Sequence, residues 1–230
     1  MSFDRFAEDY RAQVDLAAGV SVERLAGEKA RLILDVLSGR LGDHRRLRVL
    51  DIGCGIGLVD RELESHVGFL CGVDMSRDSL ELAKARAPLT NFALYDGVRL
   101  PFSDDSFDAT FAISVLHHVA PAARAAFMAE MVRPVAPRGV TILIEHNPLN
   151  PVTRRIVSRC AFDADAVLLH RREADQLLAG AGAPAAGGRY IGFSPLRHAL
   201  VERAERIVGW LPIGAQYTVW GVKRAGDEPA

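Results

Sequence analysis

Cysteine is scarce in this chain of 230 residues. Cys54, Cys71 and Cys160 are odd in number, widely spaced and free of any Cys-x-x-Cys pair. The pattern excludes a disulfide framework and a thiolate zinc site, so no metal is expected. Net charge is lacking too: a formal balance of −1 leaves no overall field to recruit nucleic acid. No apolar run approaches the ~20 residues that span a bilayer, and the opening Met-Ser-Phe-Asp-Arg-Phe is charged from its fourth residue, unlike a secretory leader. A cytoplasmic protein without a transmembrane segment is expected. Repeats are absent, and the one biased tract, the Ala/Gly/Pro stretch at 181–188, reads as a turn or short linker.

What is present is enough for one sizeable core: 49% of the residues are hydrophobic, and the length fits a single domain over 1–230. Apolar periodicity predicts helices at 1–12 and 21–40, the latter with Leu25, Leu32, Ile33, Val36 and Leu37 on one face. Strands follow at 47–52, 69–73, 91–95, 108–114 and 140–146, separated by helices at 57–66, 76–87 and 121–133. Ser76 and Pro121 open the last two. This alternation implies parallel strands joined by right-handed crossovers in a layered α/β/α domain. A strand at 189–194, a helix near 196–209 and a strand at 216–223 complete the pattern.

The most informative stretch is Val49-Leu-Asp-Ile-Gly-Cys-Gly-Ile-Gly57, an apolar strand running into three alternating glycines. Gly53, Gly55 and Gly57 allow a sharp turn and a close backbone approach to a ligand at a helix N-terminus. A dinucleotide fingerprint needs a glycine at 58, where this chain has Leu, which argues against pyrophosphate binding and a nicotinamide cofactor. The second strand ends in Asp74, placed to accept hydrogen bonds from the two hydroxyls of a ribose. Asp96, beside Gly97, is placed to accept from an adenine amino group.

Taken in order, Leu50-Asp-Ile-Gly-Cys-Gly-Ile-Gly57, Gly72-Val-Asp-Met-Ser76, Asp96 with Leu100-Pro-Phe102, Ser106-Phe-Asp108 and Leu116-His-His-Val119 resemble the class I S-adenosylmethionine-dependent methyltransferases. The likeness covers roughly residues 45–146 and is nearest to the small bacterial group around ubiquinone and menaquinone biosynthesis. Two departures stand out. Tyr95-Asp96-Gly97 replaces the family's Gly-Asp-Ala, and Val135-Ala-Pro-Arg-Gly139 keeps one glycine of a terminal pair. The resemblance implies a doubly wound, Rossmann-like sheet of about seven strands, mostly parallel, with an antiparallel C-terminal hairpin. It also implies S-adenosylmethionine as cofactor, held by Asp51, Gly53, Gly55, Gly57, Asp74, Met75, Asp96, Gly97 and the Ser114 backbone, with Tyr10 closing over it from an N-terminal helix.

Methyl transfer from a sulfonium is an in-line displacement, so the protein has chiefly to align donor and acceptor in a pocket without water. An acceptor hydroxyl or enolisable carbon needs a base. His118, after the fourth strand, and His146, at the end of the fifth beside Glu145, are the catalytic candidates, with Glu145 expected to orient His146.

Some 25 residues, 147–171, separate the fifth strand from its helix, where a few would suffice. They lie at the ligand side of the sheet and are the candidate substrate lid. Arg154 and Arg155 within them are candidate substrate ligands, since arginine forks suit phosphate or carboxylate. Residues 116–230 carry 14 Lys/Arg against 10 Asp/Glu, the reverse of residues 1–115 with 14 against 19, which fits an anion-facing C-terminal half. The amphipathic segment 195–211, ending in Trp210, leaves room for peripheral contact with a membrane surface.

The expected function is therefore methyl transfer to oxygen or carbon of a small, anionic or lipid-linked metabolite, by a monomer or homodimer. The alternative from another class is a non-catalytic S-adenosylmethionine-binding regulator or partner subunit. The acceptor is not legible, because one scaffold serves many acceptors.

Overall fold

The computed structural model describes residues 21–192 and 207–225. Helix α1 (Val22–Leu41) buries Val22, Ala26, Ala30, Ile33 and Leu37 on one stripe. The chain then alternates through β1 (Arg48–Ile52), α2 (Leu58–Leu63), β2 (Phe69–Asp74), α3 (Arg77–Arg86), β3 (Asn91–Leu94), β4 (Phe107–Ile113), α4 (Arg124–Val132) and β5 (Val135–His146). After α5 (Pro151–Val157) and α6 (Arg171–Gly180), β6 (Ala185–Ile191) and β7 (Gln216–Val222) finish the sheet.

The seven strands lie in the order β3-β2-β1-β4-β5-β7-β6. Pairing is parallel from β3 to β5 and antiparallel at β5–β7 and β7–β6. From β1 the chain moves outward to β2 and β3, then returns to place β4 on β1's other edge. That reversal makes the carboxyl ends of β1 and β4 the switch point, where open α/β sheets bind ligands.

Side-chain alternation along the strands divides the core between the two faces. Leu50, Ile52, Ala112 and Leu143 join the cluster under α4 and α6, while Val49, Phe111, Ile142 and Ile144 join α1's stripe. This period of two lets one sheet bury both faces, which parallel sheets require.

Boundaries differ from expectation in two places. The fifth strand starts at Val135, not 140, because Val135 pairs with Phe107 before an irregularity, after which Val140 pairs with Ala109. The Ala/Gly tract is also less of a linker than composition implies, because 185–188 is strand. Its glycines make room for the partner: a Cβ at Gly187 would lie 2.2 Å from the Trp220 ring.

The inserted segment is anchored at both ends. Near its start, Asn147 donates to the carbonyls of Pro212 and Gly214, Asn150 to that of Ile213, and Thr153 to that of Ala215. Asn150 also accepts from the amides of Val152 and Thr153, capping α5. At its far end, the buried Arg124 ties the carbonyls of Val119 and Val167 to Glu173. The helix expected at 1–12, Tyr10 and most of the helix expected at 196–209 lie outside the described residues. Among the described residues no helix is long and apolar enough to cross a membrane.

Candidate functional site

The glycine turn after β1 has the form its sequence predicts, and each glycine serves a different purpose. Gly53, Gly55 and Gly57 all have positive φ, at 79°, 53° and 72°. A Cβ on Gly53 would strike Val115 at 2.5 Å, so this glycine lets the turn pack on the chain leaving β4. One on Gly57 would meet Ala83 of α3 at 2.9 Å, which fixes helix packing. Gly55 has open space beside it, room for a ligand.

Acidic side chains surround this turn. Asp74 accepts from the Gly55 amide through one oxygen (2.8 Å) and from the Ser76 amide through the other (2.9 Å), so it shapes the turn as well as facing it. Met75 is half exposed and packs over Gly97, where a Cβ would come within 2.6 Å of the Met75 sulfur. Asp96 uses a single oxygen to accept from the amides of Val98 and Arg99, and these bonds hold its carboxyl below the usual range.

Asp51 is buried at the end of β1, and near it lies a carboxyl that sequence reasoning passed over, Asp60 in the first turn of α2. One oxygen of Asp51 and both of Asp60 are buried without a well-formed bond to another residue, and the two carboxyls lie close enough to share a proton. Burial pushes Asp60 up to about 7, aided by the charges of Glu64 and Asp74; burial and then the Asp60 charge hold Asp51 well above its ordinary value. A signal existed: Asp60 lies three residues past Gly57, on the turn of α2 that faces β1.

A second polar cluster lies across the switch point. Ser114, at φ 56°, takes a left-handed conformation uncommon outside glycine. Its amide donates to the Ile144 carbonyl, and its hydroxyl lies 3.4 Å from the Gln216 amide nitrogen. This turn directs Val115 to His118 back over the sheet. Glu145, fully buried, accepts from the amides of Val115 (3.0 Å) and Leu116 (2.7 Å) through one oxygen. Its other oxygen meets His117 Nδ1 at 2.7 Å. Glu145 thus orients His117, and the expected pairing with His146 is corrected: both Glu145 oxygens are taken by His117 and the Val115 and Leu116 amides, and His146 stands beside His117 instead.

Asp163, in the inserted segment, completes this cluster, 3.4 Å from His117 Nε2 and 3.5 Å from His118 Nε2. Burial opposes charge on His117, but the Glu145 charge and bonds to both carboxylates raise it to about 9. Burial and then the His117 charge lower His118 and His146 to about 4, so both are neutral at pH 7. The His117 ring lies 4.2 Å from that of His118 and 5.1 Å from that of His146. Lys29 of α1 was also missed. Burial lowers it to about 8, against the charges of Glu145 and Glu28. Its signal is positional, since Val22, Ala26, Lys29, Ile33 and Val36 keep a 4-3-4-3 spacing and put a charge in an apolar stripe. Arg154 and Arg155 are exposed on α5.

Comparison with known proteins decides the family. The methyltransferase domain profile matches residues 50–143, from β1 through most of β5. Those residues belong to the class I S-adenosylmethionine-dependent methyltransferases. The chain is 33% identical over 143 residues to a demethylmenaquinone methyltransferase of Beutenbergia cavernae, covering 62% of this chain and 55% of that one. It is 32% identical over 131 residues to the 2-methyl-6-phytyl-1,4-hydroquinone methyltransferase of Synechocystis, covering 50% and 41%. The chain thus spans about half the length of the curated relatives it matches. An S-adenosylmethionine-dependent methyltransferase of Thermotoga maritima, described as a possible histamine N-methyltransferase, shares the fold with a TM-score of 0.69 at 18% identity, covering 96% and 98%.

The cofactor is S-adenosylmethionine, and the glycine turn suits it. Its methionyl end carries an ammonium and a sulfonium, and the Asp51–Asp60 pair, with Asp51 raised by burial and Asp60 half ionised near pH 7, offers buried negative charge through Asp60 beside the open space at Gly55. Buried carboxylates call for such a cation.

Proposed function

We propose that this protein transfers a methyl group from S-adenosylmethionine to oxygen or carbon of a small metabolite, with residues 1–230 working as one domain. The observation that carries the reading is the buried carboxyl pair, Asp51 and Asp60, flanking the glycine turn at the switch point. Asp51 and Asp60 hold the cationic methionyl end, Gly53, Gly55 and Gly57 let the backbone approach, Asp74 takes the ribose hydroxyls, and Asp96 with Met75 and Gly97 takes the base. Ser114 offers its backbone carbonyl. When bound, the cofactor supplies a methyl group activated by a positive sulfur.

The remaining residues orient the acceptor and manage its proton. His118 and His146 are neutral at working pH and accept a hydrogen bond from an acceptor hydroxyl; Lys29, lowered to about 8, is closer to the value suited to moving a proton. The inserted segment acts as a lid. Around it lie exposed Leu149, Val152, Ile207, Trp210 and Ile213, joined through the hydrogen bonds of Asn147, Asn150 and Thr153 to the 212–215 loop. An apolar rim beside Arg154 and Arg155 favours an acceptor with a polar or anionic ring and an apolar tail. The menaquinone and phytyl-hydroquinone relatives support a quinol-type ring.

Isothermal titration with S-adenosylmethionine, its demethylated product and NAD tests the cofactor reading; tight binding of the first two without NAD is expected. Labelled donor with a metabolite extract then identifies the product. Binding without turnover on any acceptor would favour a regulatory subunit instead.

A further inference from the structure

The cluster at the ends of β4 and β5 holds more nitrogen and oxygen donors than methyl transfer needs. His117 is buried, with its side chain only 1% exposed, and is fixed from behind by Glu145 through Nδ1. Glu145 is itself held by two backbone amides. That arrangement places the Nδ1 proton on the Glu145 side and aims Nε2 at Asp163, where a metal ion would take the place of the second ring proton. Nε2 is buried, with Asp163 Oδ1 3.4 Å away.

We propose that His117 Nε2, His118 Nε2 and Asp163 Oδ1 bind one divalent transition-metal ion of the zinc type. The donor atoms all lie within 4.8 Å of one another. Bonds of ~2.0–2.1 Å in tetrahedral geometry place neighbouring donors about 3.3–3.4 Å apart. The distances from Asp163 Oδ1 to the two nitrogens, 3.4 and 3.5 Å, match that edge. Two imidazoles and a carboxylate are borderline donors suited to zinc and its neighbours rather than to magnesium or calcium. A carboxylate behind a ligating histidine is the usual outer support of such a site, and Glu145 stands there. Three protein ligands leave a fourth position open, the form that accepts an oxygen donor from outside.

The site also gives the inserted segment a reason for its length. Asp163 reaches the cluster from a single turn at Ala161–Asp163, and Val167 beyond it donates its amide to the His117 carbonyl. An ion there would fasten the segment over the end of β4. The inference does not depend on which acceptor is methylated, nor on the cofactor assignment, because its test reads metal alone.

Chelator-stripped full-length protein is titrated with Zn2+ by calorimetry and with Co2+ by visible absorption. One ion per chain is expected, with a dissociation constant on the order of micromolar or tighter and a cobalt spectrum of tetrahedral intensity. His118→Ala and Asp163→Ala, both shown folded by circular dichroism, should each weaken binding at least about tenfold. His66→Ala combined with His170→Ala, at exposed histidines away from the cluster, should leave it unchanged. Zn2+ should slow tryptic cleavage after the exposed Arg154, Arg155 and Arg159 in the native protein, and lose that effect in Asp163→Ala. Absence of binding, or binding that survives both cluster substitutions, would overturn the proposal and leave a charge network with His117 held between Glu145 and Asp163.

Discussion

Raising the pH from 6 to 8 should tighten cofactor binding, and the size of the effect follows from Asp60. Its carboxyl titrates at about 7 because burial disfavours the charged form. At pH 6 about one chain in ten has it ionised, and at pH 8 about nine in ten. If the ionised form receives the cationic methionyl end, the dissociation constant falls by about tenfold across this range, or ~1.4 kcal/mol. Asp51 is likewise raised by burial and by Asp60, so its ionisation acts in the same direction. Calorimetry in buffers of different ionisation enthalpy should show proton release at pH 6 that shrinks by pH 8. The ligand's own amine titrates identically against every variant, so Asp60→Asn isolates the protein's share and should flatten the profile. Stability without ligand should run the other way. The folded value lies above the unfolded ~3.9, so the folded state binds more protons and stability falls as pH rises from about 4 to about 7. Asp60→Asn should therefore melt higher than wild type at pH 8. An equal pH slope in wild type and Asp60→Asn would refute the assignment.

Three other substitutions separate the parts of the site. Asp74→Ala removes the acceptor for the Gly55 amide and the proposed ribose contact, and should weaken cofactor binding at least tenfold, about 1.4 kcal/mol, by calorimetry. Arg154→Ala with Arg155→Ala should raise the acceptor's KM and leave cofactor affinity alone; the reverse pattern would count against the lid. Glu145→Ala strips a buried charge from His117 and should cost about 3–5 kcal/mol in urea unfolding, whereas a loss below ~1 kcal/mol would show that the network contributes little.

Much of the fold was legible because its signals are local. Val49 and Leu50 declare the alternation of β1, the glycines declare its turn, and Ser76 caps α3 by accepting from the Ser79 amide as its residue type predicts. What escaped depends on partners distant in sequence. Gly187 and Gly188 read as linker because nothing local reveals that Trp220 and Val219 of β7 will lie against them. Glu145 was assigned to its neighbour His146, yet it bonds to His117, 28 residues earlier, since topology joins β4 to β5. Asp163 was invisible for the same reason: only the anchored insertion brings it to the histidines. Cysteine counting speaks to thiolate sites alone, so it could not reveal a donor set of histidine and carboxylate.

The two polar clusters are mechanically one. Glu145 holds the Val115 amide, and Val115 packs so closely on Gly53 that a methyl group at Gly53 would strike it. Ser114 keeps its strained conformation between them, which persists only where surrounding contacts enforce it. Any change at Glu145 that moves Val115 must therefore shift the glycine turn, whose shape depends on Asp74 holding the Gly55 amide. It follows that Glu145→Ala should damage cofactor affinity as well as the histidine cluster, although Glu145 lies on the far side of Val115 from the turn. If affinity for S-adenosylmethionine survived while His117 lost its elevated titration, the clusters would be neighbours without coupling, and the packing of Val115 on Gly53 would be a contact with no consequence for binding.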